Sequence, residues 1–234
     1  MSELVPLTAW SGLEVMGPLS GGHRNTVLLG RLGEHRVVIR RSRRSAESLA
    51  WELDLLEHLH TDGVVVPETV PTADGQRHRD GWHVQLHIDG REPAPADDQA
   101  LLAALRDVHA RTSGWPQRPG SRSARELLTT EVGGDIDLSA VPPSLRETLR
   151  AAWAVVDPQA RCVVHGDAGG ANALVLSDGR CALLDWDEAR VDDPLFDLAA
   201  PNEPLHTRAA LAWEIATCWV VEPDYARSLV SRLE

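Results

Sequence analysis

Residues 162–199 read CVVHGDAGGANALVLSDGRCALLDWDEARVDDPLFDLA. The block sets Asp167, Asp185, Asp187, Glu188, Asp192, Asp193 and Asp197 beside short apolar runs, with Arg180 and Arg190 as its only cations. Carboxylates at the ends of buried strands repel one another and lose hydration, so a fold keeps such a group together chiefly when a cation joins it. A divalent metal is the simplest candidate. Asp167 and Asn172 fall in a short loop after the strand RCVV, and Asp185 ends a strand of the hairpin ALVL and CALLDW, joined by Ser177-Asp178-Gly179-Arg180. Asp-Gly between apolar runs is a strong hairpin signal. The three side-chain oxygens can therefore converge. One carboxylate and one amide oxygen, with the remaining sites left to water and phosphate, is how proteins usually hold Mg²⁺. Asp167 is then free to accept a proton from a substrate hydroxyl.

In order and spacing, HGD-x-x-x-x-N at His165–Asn172, DWD at Asp185–Asp187 and DDPLFDLA at Asp192–Ala199 resemble the aminoglycoside phosphotransferase and choline kinase-like family. The fold of that family is similar to that of protein kinases. HGD alone is weak, because metallophosphoesterases contain similar tripeptides; the ordered set with matching gaps is specific. The resemblance implies a small-molecule kinase in which Asp167 is the catalytic residue that orients or deprotonates the acceptor. Asn172 and Asp185 are then the Mg²⁺ ligands, Asp197 tethers the catalytic loop from a following helix, His165 supports that loop, and Asp187 is a second acidic contact.

The upstream half carries matching parts. TVLLG (Thr26–Gly30) and HRVVIR (His35–Arg40) are β-branched runs around a Gly-containing turn at Arg31–Glu34, a hairpin pattern. Just before them lies Leu19-Ser20-Gly21-Gly22-His23-Arg24-Asn25. Taken alone, Gly21-Gly22 reads as a plain turn; within the resemblance Ser20, Gly21, Gly22 and Asn25 cover the nucleotide phosphates. Ser45 caps a helix with apolar positions Ala46, Leu49, Ala50, Leu53, Leu56 and His60, stopped by Gly63. Glu52 shares the inward face of this helix and requires a cation; Arg40 is the nearest one. The resemblance usually places Lys there, whereas a guanidinium holds two phosphate oxygens in a fixed fork. Arg41, Arg43 and Arg44 read as a solvated loop. VVVPETV and WHVQLHI are two further strands, and Leu86, His87 and Ile88 sit where the family receives the purine.

Composition narrows the alternatives. All 23 cations are arginine, which removes lysine Schiff-base enzymes and Walker-type P-loops. A net charge of −12 argues against nucleic acid or an anionic membrane as partner and favours a small cationic acceptor, such as an aminoglycoside-like antibiotic or an amino alcohol. Cys162, Cys181 and Cys218 stand in apolar contexts without CxxC spacing, as buried thiols of a reducing compartment do. With no leader pattern at MSELVPLTAW and no apolar run of membrane-spanning length, a cytoplasmic protein is expected. His109 reads as structural, and Trp51, Trp153, Trp213 and Trp219 as packing residues.

The expected fold is α+β, two-lobed and protein kinase-like. Residues 1–88 form an antiparallel sheet lobe with one helix that binds the nucleotide, 89–98 (DGREPAPADD) a linker, and 99–234 a mainly helical catalytic and substrate-binding lobe. Helices are expected at Asp98–Arg111, Pro143–Val156, Leu205–Val221 and Pro223–Leu233, with a Gly/Pro-rich loop over Thr112–Ser123. The leading expectation is transfer of the γ-phosphate of ATP or GTP, with Mg²⁺, to a hydroxyl. The Ala168-Gly169-Gly170-Ala171 loop, which offers no side chain to the transferred phosphate, motivates an alternative: a catalytically weak nucleotide-binding regulator of the pseudokinase type. A metal-dependent phosphohydrolase would need a His-rich two-metal site, and His165 is the only histidine in the acidic block.

Overall fold

A computed structural model describes residues 5–19, 26–157, 159, 161–198 and 203–233. The chain packs as two compact units, one of residues 1–104 with 168–187, the other of 105–167 with 188–234. Composition marks a boundary at 89–98, but packing carries the first unit into the helix that follows and adds the hairpin at 168–187.

In the first unit the strands β1 (Leu13–Pro18), β2 (Thr26–Leu32), β3 (His35–Arg41), β4 (Thr69–Val70) and β5 (Trp82–Leu86) form an antiparallel sheet in the order β1-β2-β3-β5-β4. The β2–β3 turn is tighter than Arg31–Glu34, because Arg31 and Leu32 stay in the ladder opposite Arg36 and His35. Gly33 makes this possible with φ 60°, a conformation costly for other residues. One face of the sheet buries Val37, Ile39, Trp82 and Val84 with Trp10 and Leu13.

Helix α1 (Ala46–Thr61) starts at Ser45, whose hydroxyl accepts from Ser48 N–H at 3.2 Å. Its buried arc is wider than the apolar stripe in the sequence: Trp51, Leu55 and Leu59 are buried with Leu49, Leu53 and Leu56, whereas Ala46 and His60 are exposed. Only Thr69–Val70 of VVVPETV joins the sheet. Pro67 has no N–H to give a ladder, and upstream of it the Val65 carbonyl accepts instead from Leu183 N–H at 3.0 Å.

Two strands, β6 (Val132–Gly133) and β7 (Ile136–Asp137), form a small hairpin of the second unit, and β8 (Cys162–Val164) precedes the HGD loop. The hairpin β9 (Ala173–Val175) and β10 (Cys181–Leu183) belongs to the first unit and follows the Asp-Gly signal. Segment 89–98 is ordered against it: Arg91 exchanges backbone hydrogen bonds with Val175 at 3.1 and 2.7 Å, and the Asp97 carboxylate grips the Arg91 guanidinium at 2.6 and 2.9 Å. A further strand, β11 (Arg190–Asp192), pairs antiparallel with β8 in the second unit.

The helices of the second unit are α3 (Ala124–Leu127), α4 (Pro143–Trp153), α5 (Leu195–Leu198), α6 (Pro204–Val221) and α7 (Pro223–Val230), while α2 (Asp98–Arg111) carries the chain from the first unit into the second. Their core gathers Leu127, Leu138, Leu149, Trp153, Trp213 and Ile215. Trp153 and Trp213 meet at 5.9 Å, and Trp219 donates to the Ala140 carbonyl at 3.0 Å. Ser123 and Glu126 close a reciprocal capping box on α3. No helix among the described residues is long and apolar enough to cross a membrane.

Candidate active site

In the first unit, Arg40 lies near the end of β3 and is buried. Its guanidinium donates to the Asp185 carboxylate, an ion pair in which Asp185 keeps 30% exposure. Glu52, buried on the inward face of α1, adds a second negative charge to the same field. Burial alone would lower the Arg40 pKa; Asp185 and then Glu52 outweigh it, so the guanidinium is held in its charged form.

Asp185 follows β10 with φ 57°, a left-handed backbone that Asp tolerates better than most residues. Asn172 ends a 3₁₀ turn at Gly170–Asn172, and its carbonyl accepts from Leu184 N–H at 2.8 Å. The β9–β10 register, which sets Ala173 opposite Leu183, thus brings the backbones at Asn172 and Leu184 together. One amide oxygen and one carboxylate oxygen are hard donors that suit Mg²⁺. The guanidinium already on Asp185 shows that this carboxylate faces positive charge.

Arg44 is not solvated. It forks onto Asp187, Nε to Oδ1 at 3.2 Å and Nη2 to Oδ2 at 3.0 Å, so Asp187 is committed to a cation. At the end of β5 the Leu86 and His87 N–H groups are used by the Glu68 and Arg36 carbonyls at 2.9 and 3.0 Å. The His87 ring is largely covered, with Nε2 at 3.2 Å from Arg36 Nη2 and Nδ1 at 3.3 Å from Asp89 Oδ1. Ile88 follows beyond β5, with no ladder bond among the described residues. Ser20, Gly21, Gly22 and Asn25 lie outside the described residues.

In the second unit, β8 delivers a fully buried His165, then Gly166 and an exposed Asp167. Asp197, at the first turn of α5, accepts from His165 N–H through Oδ2 and from Gly166 N–H through Oδ1, both at 2.8 Å. His109 Nε2 lies 2.8 Å from Asp197 Oδ2. Burial pushes the Asp197 carboxyl up, but the hydrogen bond and charge of His109, with His165 and the Gly166 N–H, outweigh it and hold it below the usual carboxylate range.

Asp192 and Asp193 are already engaged by the chain's own donors. Asp192 Oδ2 accepts from Ala124 N–H and Arg190 Nε, both at 3.0 Å, and its burial raises its pKa despite these bonds. Asp193 accepts from Leu195 N–H at 2.9 Å and Asp157 N–H at 2.8 Å. Backbone amides and Arg190 thus neutralise acids that composition alone assigned to a shared cation. Sequence reading also missed Gln117, whose amide pairs with both backbone groups of Val191 at 2.8 and 2.9 Å as a neighbouring strand would. Arg190 was visible in the block as one of its two cations, and that was its only signal.

Residues 15–201 match the model of the phosphotransferase enzyme family. A homoserine kinase of Methylobacterium nodulans is 25% identical over 210 residues, a match that takes in 82% of this chain and 60% of that protein. The chain therefore spans about three fifths of the length of that curated relative. Among solved structures, a microcompartment-associated aminopropanol kinase shares 19% identity with a TM-score of 0.65, covering 97% of this chain and 92% of the other. An amicoumacin kinase in complex with AMP-PNP and Ca²⁺ shares 17% identity with a TM-score of 0.60, covering 94% and 70%. The fold is that of the protein kinase-like phosphotransferases. With four fifths of its length matched, the chain belongs to the phosphotransferase enzyme family.

Proposed function

We propose that this chain transfers the γ-phosphate of ATP or GTP to a hydroxyl of a small cationic acceptor, an aminosugar antibiotic or an amino alcohol. The observation that carries this reading is Arg40, a buried cation on a sheet strand, backed by Glu52 and paired with an Asp185 carboxylate that remains partly accessible. A triphosphate competes with Asp185 for the guanidinium fork. Asn172 and Asp185 would hold Mg²⁺, which when bound offsets the charge of the triphosphate. Asp167 takes the hydroxyl proton as the new O–P bond forms and the bond from the γ-phosphorus to the β-phosphate oxygen breaks. Leu86 to Ile88 receive the purine, with Ile88 supplying the backbone group that the sheet has not used. Ser20, Gly21, Gly22 and Asn25 cover the phosphates.

The acidic balance of −12 supports a cationic acceptor. So does the name of one relative, since aminopropanol carries an amine and a hydroxyl; homoserine shares both groups but adds a carboxylate. Three free, buried cysteines fit a cytoplasmic setting.

A panel of aminoglycosides and amino alcohols, read by nucleotide consumption with Mg²⁺, tests the proposal. Turnover with at least one acceptor is expected, and Asp167→Ala should lower it ~10²–10⁴-fold. Activity of Asp167→Ala within tenfold of wild type would remove Asp167 from its role. Nucleotide binding without turnover on any acceptor would favour the catalytically weak regulator.

A further inference from the structure

Arg190 is 2% exposed and is none of the residues assigned to nucleotide, metal or acceptor. Its guanidinium carbon lies 3.4 Å from the centroid of the Trp213 ring and 4.8 Å from that of Phe196, and Nε donates to Asp192 at 3.0 Å. Ring faces and one carboxylate fix the plane of the fork. Nη1 and Nη2 are buried and have no hydrogen-bond partner among the described residues. Such donors are costly, and an apolar side chain of similar size often packs in place of a buried ion pair at no loss of stability. Stability alone therefore does not account for a cation here.

Nη1 borders the catalytic loop. A Cβ built on Gly166 would lie 3.0 Å from Arg190 Nη1 and 3.0 Å from the Glu188 carbonyl, so the glycine backbone rests against the guanidinium. Gly166 has φ 84°, donates to Asp197, and directly precedes Asp167. The charge of Arg190 also faces Asp192, Glu188 and Asp197, the last being the carboxylate that holds the His165 and Gly166 N–H groups.

We propose that Arg190 is a positioning residue for phosphate transfer: its guanidinium, fixed on Trp213 and Asp192, is the floor on which the Gly166–Asp167 turn is set. This inference rests on the assignment of Asp167 above. Asp197 holds the turn by its N–H groups, and Arg190 limits how far its backbone can sink.

Two readouts on Arg190→Met and Arg190→Lys test it. Amide hydrogen exchange should show protection of His165 and Gly166 falling at least tenfold in Arg190→Met, while Val163 and Val164 of β8 keep theirs. With an acceptor that turns over in the panel above, kcat should fall at least tenfold with the nucleotide KM within threefold, and Arg190→Lys should recover part of both losses. Unchanged His165 and Gly166 protection, or a loss spread evenly through β8, overturns the proposal, as does a wild-type kcat in Arg190→Met. If Arg190→Met does not fold, Arg190→Lys carries the same two readouts: His165 and Gly166 protection and kcat both below wild type with β8 protection intact support the role, and wild-type values of both overturn it. Should the wild type transfer no phosphate, the assigned function fails while the exchange measurement still decides whether Arg190 sets the turn.

Discussion

Arg40 and Asp185 in the first unit keep 11% and 30% of their side-chain exposure, and Arg44 and Asp187 keep 18% and 17%; in the second unit His109 and Asp197 keep 8% and 1%, and Arg190 and Asp192 keep 3% and 1%. Both units carry ionic pairs close to motif residues, yet the pairs are built for different work. The first set is only partly covered, Asp185 most openly, so breaking one of its pairs strands less uncompensated charge. The second set is sealed, and its carboxylates spend their lone pairs on backbone N–H groups of His165, Gly166, Ala124 and Asp193. A sealed ion cannot exchange without uncovering a buried charge, which costs far more than loss of a wet pair. One unit thus keeps part of its paired charge accessible, while the other uses charge to fix the path of its own chain.

The hardest test of that division is Asp197→Asn. The amide keeps the shape but turns one acceptor into a donor facing His165 or Gly166 N–H, and leaves His109 without its charge partner. A loss of about 3–5 kcal/mol in unfolding free energy is expected by denaturant titration, with phosphate transfer lost alongside. The Asp197 pKa is depressed in the folded chain, so its contribution is present above the unfolded carboxylate pKa and is lost as pH falls through the folded value. Loss of under about 1 kcal/mol would erase the distinction between sealed and wet pairs.

Arg40 comes next. Charge-assisted bonds to phosphate are worth about 1.5–3 kcal/mol, so Arg40→Ala should lower kcat/KM for nucleotide by roughly 10- to 150-fold. Arg40→Lys, which keeps the charge and loses the fork, should lie within about tenfold of wild type. The unfolding midpoint should move less than in Asp197→Asn. A midpoint shift as large as that of Asp197→Asn, with nucleotide use unchanged, would place Arg40 among the sealed pairs.

The same contrast explains what the sequence made legible. Strands β2, β3 and β5, the β9–β10 hairpin and α1 follow from periodicity and turn chemistry, because most of their apolar residues are wholly or partly covered. β11 does not, because Arg-Val-Asp has the composition of a loop; it is buried only because Arg190 finds Trp213 and Asp192 finds the Ala124 N–H. The short β6–β7 hairpin and α3 were missed because two to four residues carry no period. In the site, Asp197 and its loop could be placed from the motif, and Glu52 from its helix face. The partner of Arg44 could not, since Asp187 lies 143 residues away and nothing local to RRSRRS points to it.

His83 carries the smallest expected effect, and it tests the comparison from inside the first unit. It stands opposite Arg40 in the β3–β5 register and is 1% exposed, a sealed group in the unit whose ion pairs are wet. Burial first, and then the charge of Arg40, lower its pKa to about 3, so the folded chain keeps it neutral where the unfolded chain, near 6.5, begins to bind a proton. As pH falls below 6.5 the unfolded state takes up the proton and stability drops, by about 1.4 kcal/mol per pH unit at full slope, until the folded pKa is reached. Between pH 7 and 6 the loss is under about 1 kcal/mol. Thermal unfolding from pH 7 to pH 5 should therefore show a slope in the wild type that is reduced in His83→Leu. An identical slope in the two would mean that the imidazole is protonated in the folded chain, and that water reaches β5 behind Arg40 as readily as it reaches Asp185.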